Sequence, residues 1–158
     1  MGDDKGFEYL KALAKNVNQY TKAGAAPANA VSIGETTIGI TFMHDMVTQS
    51  RSNPDVKPVA PCEGTGFEIG SMSIIKGARN PDSARRFYDW ALTPAAQVHG
   101  AETLQFQTPS NKATPAPAFG VDFSKAKLIP YDFAKYGSAE TRKALLARWD
   151  RDVRGGGR

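Results

Sequence analysis

The feature that most constrains this chain is an apolar run, Ile38-Gly39-Ile40-Thr41-Phe42-Met43, that breaks abruptly into the polar pair His44-Asp45. A short run of this kind, preceded by the Gly34-Glu35 turn and closed by charge, predicts a strand over 37–43. Further along comes Glu63-Gly64-Thr65-Gly66-Phe67-Glu68-Ile69-Gly70, a glycine-rich loop that leads into a second predicted strand over 68–75. A strand ending in charge beside a glycine-rich loop is how many open α/β sheets build a ligand crevice. The expected fold class is α/β.

Helical periodicity organises much of the rest. Phe7, Leu10, Leu13, Val17 and Tyr20 recur at helical spacing behind Asp3-Asp4, which predicts an amphipathic helix over 4–21 with an acidic cap. Ala23-Gly24-Ala25-Ala26-Pro27 ends it, and a short helix follows with Pro27 in its first turn and Gly34 after its last. Residues 46–51 have room for one or two helical turns before the Asn53-Pro54-Asp55 turn. The segment Val56-Lys57-Pro58-Val59-Ala60-Pro61 is apolar but interrupted by proline, which suits a sheet edge or a strand crossing between domains; we favour the crossing. Asp82-Ser83 is the expected cap of a helix with Ala84, Phe87, Trp90 and Ala91 on one face. Pro94 opens a short helix to His99, and Ser138 caps a last one with Leu145, Trp149 and Val153 one turn apart. Between them, over 104–130, prolines 109, 115, 117 and 130 interrupt chain without periodicity, which must pack on something to be ordered.

Bulk properties exclude several function classes. At 158 residues the chain has the size of one domain, and its 41% hydrophobic residues can fill one core. No run approaches the roughly 20 apolar residues needed to cross a bilayer, so no membrane span is expected. Met1-Gly2-Asp3-Asp4-Lys5 is acidic and polar, so no signal peptide is expected either. A single cysteine, Cys62, rules out an internal disulfide and a cysteine-rich zinc site. Part of the net charge of +4 sits in the tail Arg148, Arg151, Arg154 and Arg158, read as a frayed helix end. The basic residues are otherwise dispersed, without interleaved aromatics, so nucleic acid is not an expected partner. A mild positive field favours a small anionic solute.

The run from Gly6 to Leu92 resembles the second half of the type II periplasmic substrate-binding proteins of ABC importers, in the branch of ferric-iron and hexose-phosphate binders. The matching words include Tyr9-Leu10-Lys11-Ala12-Leu13-Ala14, Ile38-Gly39-Ile40, the Glu63 to Gly70 loop, Ile75-Lys76-Gly77-Ala78 and Ala84-Arg85-Arg86-Phe87-Tyr88-Asp89-Trp90-Ala91-Leu92. Thr93-Pro94-Ala95-Ala96-Gln97 and the terminal Arg142-Lys143-Ala144-Leu145-Leu146-Ala147-Arg148-Trp149 continue the likeness. The resemblance implies a periplasmic location, ABC permease subunits as partners, no cofactor, and two α/β lobes closing over a solute. A complete member is about twice this long, so the resemblance implies a partial fold. Residues 1–60 would be part of the second lobe ending in the crossing strand, and 61–158 the return with first-lobe elements.

Ferric binders of this family place adjacent tyrosines where this chain has Phe42-Met43-His44-Asp45; hard phenolate ligands for iron are therefore missing, and iron is the alternative rather than the first choice. His44-Asp45 with Glu68 is similar to the set that holds sugar hydroxyls in hexose-phosphate binders. Carboxylates accept and a neutral imidazole both donates and accepts, which matches hydroxyls. The expected ligand residues are thus His44, Asp45, Glu68 and Thr65, without a metal. A small hydrolase using His44 and Asp45, with Cys62 as nucleophile, is a second alternative, but no Ser lies in a nucleophile-elbow glycine pattern. A metal site from His44, Asp45, Glu68 and His99 matches no recognised ligand spacing.

Overall fold

The computed structural model describes residues 2–119 and 126–155. Eight α-helices follow in chain order among them: α1 (Asp3–Ala14), α2 (Ala26–Ser32), α3 (Met43–Ser52), α4 (Pro81–Ala91), α5 (Pro94–Gln97), α6 (His99–Glu102), α7 (Phe133–Tyr136) and α8 (Ala139–Trp149). A π-helical turn, Asp150–Arg154, continues α8. The chain divides into two compact units, Met1–Tyr20 with Pro130–Arg158, and Thr21–Ile129.

The first unit joins the two ends of the chain. Phe7 of α1 and Val153 of the π-turn are its buried apolar residues. The Arg148 guanidinium lies 4.2 Å over the Phe7 ring and pairs with Asp4 at 2.8 Å. Asp152 gathers Arg151 at 2.7 Å, Arg148 at 3.4 Å and Lys11 at 4.0 Å. Arg148 and Arg151, read as part of a frayed tail, are therefore tied down; Arg154 reaches Asp150 of its own turn at 3.9 Å, and Arg158 lies outside the described residues. Ser138 caps α8 by accepting from the Thr141 N–H at 3.1 Å, as expected. The first helix is shorter than expected. It stops at Ala14 rather than 21, because Asn16-Val17-Asn18 are poor helix formers. Gly2, not an aspartate, is its N-cap, with Asp3 and Asp4 in the first turn.

The second unit is built on α2 and α3. Gly34, at φ 77°, closes α2: its N–H donates to Val31 O and the Glu35 N–H to Ala30 O, the paired bonds of a Schellman stop. The following segment passes so near α2 that a Cβ on Gly39 would lie 2.8 Å from Pro27 O. Gln49 Nε2 donates to Asn29 Oδ1 and Asn53 Nδ2 to Ser32 O, which fastens α3 to α2. Ala28, Val47, Val56 and Phe106 are the buried apolar residues here. Asn80, not Asp82 or Ser83, is the N-cap of α4, with Pro81 in its first turn.

The α/β expectation holds only in part. Among the described residues the sole strand-type pairing is a parallel bridge between Thr65 and Leu128. Thr65 N donates to Lys127 O at 2.9 Å and Ile129 N to Thr65 O at 3.0 Å. Residues 37–42 and 68–75, expected as strands, enter no ladder among the described residues, because a strand needs a paired neighbour. Met43, read as the end of a strand, instead starts α3. The proline-punctuated stretch does find a support. Gln97 Oε1 accepts from Asn111 N, Asn111 Nδ2 donates to Leu92 O, and Arg51 sits 3.7 Å over the Phe119 ring. Its residues 120–125 lie outside the described ones.

Candidate functional site

A groove of about 470 Å³ opens in the second unit, lined by Thr21, Lys22, Gly24, Thr41, Phe42 and Thr65, among others. Gly24 permits the contact between the two loops, since a Cβ there would lie 2.9 Å from the Phe42 ring. Thr41 Oγ1 donates to Gly24 O, Thr21 Oγ1 to Ala23 O and Thr65 Oγ1 to Gly66 O. With their protons engaged, the three hydroxyls offer lone pairs. Lys22 carries the one charge on the described lining, and no carboxylate stands there. A second depression, lined by Asp3, Asp4, Lys135 and Tyr136 in the other unit, is already internally matched. There Lys135 Nζ donates to Tyr136 Oη at 3.2 Å and lies 3.8 Å from Asp3. That hydrogen bond, followed by the Asp3 charge, raises the Lys135 pKa.

Of the four residues singled out from sequence, Thr65 lines the groove and the other three do not. His44 and Asp45 lie in the first turn of α3, where a carboxylate suits the positive end of the dipole. On a strand the two neighbours would face opposite ways; on the helix His44 Nε2 and Asp45 Oδ1 are 3.7 Å apart. Phe42 joins the pair to the groove, its ring stacked on His44 at 5.4 Å. The Gln107 amide stands 3.5 Å from His44 Nε2. Glu68 is exposed in the segment that follows the glycine-rich loop, and no contact links it to the others. In the same loop, Glu63 has its pKa lowered by a hydrogen bond from its own backbone N–H, then by the Cys62 thiol. Thr21, Lys22 and Thr41 were missed from sequence. A lysine between threonine and alanine in a loop carries no local signal; only folding sets it beside Thr65.

The four residues of the metal reading, His44, Asp45, Glu68 and His99, are not brought together. Among the described residues no three His, Cys, Asp or Glu side chains stand together as a metal site. His99 is turned instead to Glu102, with Nδ1 2.5 Å from the carboxylate.

Comparison with known proteins shows a partial periplasmic-binding-protein fold and gives the family. Residues 1–98 match the family model described as bacterial extracellular solute-binding protein. The chain belongs to that family. Over 97% of its length it superposes on 49% of the solved periplasmic binding protein P5PA, with a TM-score of 0.81 and 34% identity. It is 44% identical over 156 residues to an uncharacterized protein of Haemophilus influenzae, covering 97% of this chain and 44% of that one. To the spermidine/putrescine-binding periplasmic protein of Escherichia coli it is 26% identical over 154 residues, 95% of this chain and 40% of that protein. The chain thus spans less than half the length of these relatives. Solute-binding proteins are not enzymes, so the hydrolase reading of His44 and Asp45 falls away. Its named relatives are periplasmic, and among the described residues no helix is long and apolar enough to cross a membrane.

Proposed function

We propose that this chain is the part of an ABC importer's solute-binding component that supplies one face of the ligand site, and that the solute is a small hydroxylated anion. A hexose phosphate fits first. The carrying observation is Lys22 as the one charge on a lining that otherwise offers threonine lone pairs and the Phe42 ring. Sugar hydroxyls donate to Thr21, Thr41 and Thr65, the apolar sugar face rests on Phe42, and the phosphate pairs with Lys22. In this reading Asp45 and His44 take further hydroxyls beyond Phe42, and Glu68 another from the loop. The importer's permease subunits are the protein partners.

The relatives' names raise the rival, a polyamine. Threonine lone pairs would accept from ammonium groups as readily as from hydroxyls, so charge decides. An ammonium about 4 Å from Lys22 is repelled by about 1 kcal/mol even in water, and by more in a partly closed groove. Polyamines call for carboxylates at their ammonium groups; Asp45 and Glu68 lie outside the lining, and Lys22 stands within it.

Titration of the isotope-labelled chain with glucose 6-phosphate, inorganic phosphate and spermidine, read by amide chemical shifts, tests this. If half the contacts of a micromolar ligand are present, about 4 kcal/mol remains, a Kd near 1 mM. Shifts at Lys22, Thr41 and Thr65 with the sugar phosphate are expected, abolished by Lys22→Glu and weakened by Asp45→Ala. Tighter spermidine binding that Lys22→Glu improves would overturn the anion reading.

A further inference from the structure

One face of α3 is strapped by the chain that follows α6. His44, Thr48 and Arg51 stand four and then three positions apart, so they share that face. The Gln107 amide reaches His44 Nε2 at 3.5 Å, Thr48 Oγ1 donates to Leu104 O at 2.9 Å, and Arg51 covers the Phe119 ring. Residues 104–107 thus run along α3 from Thr48 back to His44, and Phe106 within them is buried. The strap turns at a strained residue. Among the described residues Leu104 is the one non-glycine residue with a positive φ, 62°. Its side chain is half-exposed, so packing does not account for a left-handed leucine where glycine would sit without strain. Such a backbone persists only where its surroundings hold it. Here Gln105 N donates to Gly100 O at 2.8 Å, and Leu104 O accepts from Thr48.

The strap ends behind the groove wall. The His44 ring is stacked on Phe42 at 5.4 Å with 17° between the planes, and Phe42 lines the groove with Lys22, Thr41 and Thr65. Leu104, Thr48 and Gln107 are not part of that lining. We propose that these three are positioning residues of the groove, which act through the His44 ring to fix Phe42 as its aromatic wall. A wall already fixed spares the complex the cost of ordering a side chain on binding. The stack uses the face of the imidazole, so it does not compete with hydrogen bonds made at the ring nitrogens. The inference rests on the reading of this groove as the solute site, and it names what sets the shape of that site.

Nuclear magnetic resonance of the isotope-labelled full chain tests the strap without any solute. The Gly24 hydrogen that takes the place of a Cβ points at the Phe42 ring, so its chemical shift reports where the ring stands. Gln107→Ala and Thr48→Val should move this shift towards that of unstructured glycine, and Thr48→Ser, which keeps the hydroxyl, should leave it in place. His44→Ala should move it as well, whereas His44→Phe should keep it, since a flat ring still backs Phe42. Gln107 is exposed, so its replacement should leave the helical circular dichroism unchanged. Titration with glucose 6-phosphate then reads the consequence: Gln107→Ala should raise Kd about threefold to tenfold, the span of one aromatic contact. Gly24 shifts unmoved by Gln107→Ala and His44→Ala would overturn the proposal, and so would moved shifts with unchanged affinity. A parent chain that takes no sugar phosphate would count against the solute reading alone, because the Gly24 shift decides the strap by itself.

Discussion

Gly34 and Gly39 set the path from α2 towards the groove, for different reasons. Gly34 occupies the left-handed region at φ 77°, with nothing within 4 Å of a modest added side chain, so the cost of Gly34→Ala is conformational. It should be about 1–2 kcal/mol. At Gly39 the backbone is unstrained and the obstacle is steric, with Pro27 O at 2.8 Å and Val31 Cγ2 at 3.0 Å from an added Cβ. Gly39→Ala should cost about 1–3 kcal/mol, because one neighbour is backbone and cannot rotate away. Urea unfolding of both variants checks this, with Gly70→Ala, which meets nothing within 4 Å, as the comparison expected to change little. Gly34 was legible in the sequence as a helix stop. Gly39 was not, since close approach belongs to two segments meeting.

At the scale of elements, the ion cluster joining α1 to α8 and its π-turn makes the first unit sensitive to acid. The hydrogen bond from Arg151 is the main cause of a lowered Asp152 pKa; burial opposes it, and the Arg151 and Lys11 charges add to it. Because folding lowers this pKa, the stabilisation is fully present above the ordinary carboxylate value near 4 and disappears as pH falls through the lower folded value. Asp152→Asn should therefore lower the thermal midpoint at pH 7, and the gap to the parent should close below about pH 4. A gap that persists unchanged into strong acid would mean that the carboxylate charge does not hold these helices together. Helix existence was readable from periodicity, and Ser138 from its capping chemistry. The start of α3 was not, because the apolar run 38–43 has the composition of a strand to its last residue while Met43 already turns helical.

Considered whole, the chain leaves much of its apolar material in water. Phe87 and Trp90 on α4 are 60% and 51% exposed, and few large side chains are buried deeply. Hydrophobic patches beyond a few hundred Å² promote association. On its own the chain should bind an apolar-surface dye under native conditions and unfold over a broad thermal range. Ile38→Lys with Ile40→Lys should reduce the dye signal without loss of helix. A sharp, dye-silent transition of a monomer would contradict this picture.

Local chemistry sufficed for most helices, for the turn at Gly34, for the absence of a disulfide and, through ordered short words, for the solute-binding family. These follow from propensity, capping and spacing, which act over a few residues. Tertiary structure alone decided three matters. It left residues 37–42 and 68–75 outside any ladder among the described residues, since a ladder requires a second strand. It drew His44 and Asp45 into a helix, where they meet each other and Phe42. It brought Thr21, Lys22, Thr41 and Thr65 to one groove, whose lining joins residues 43 positions apart in sequence, from Lys22 to Thr65, a distance over which no local pattern carries information.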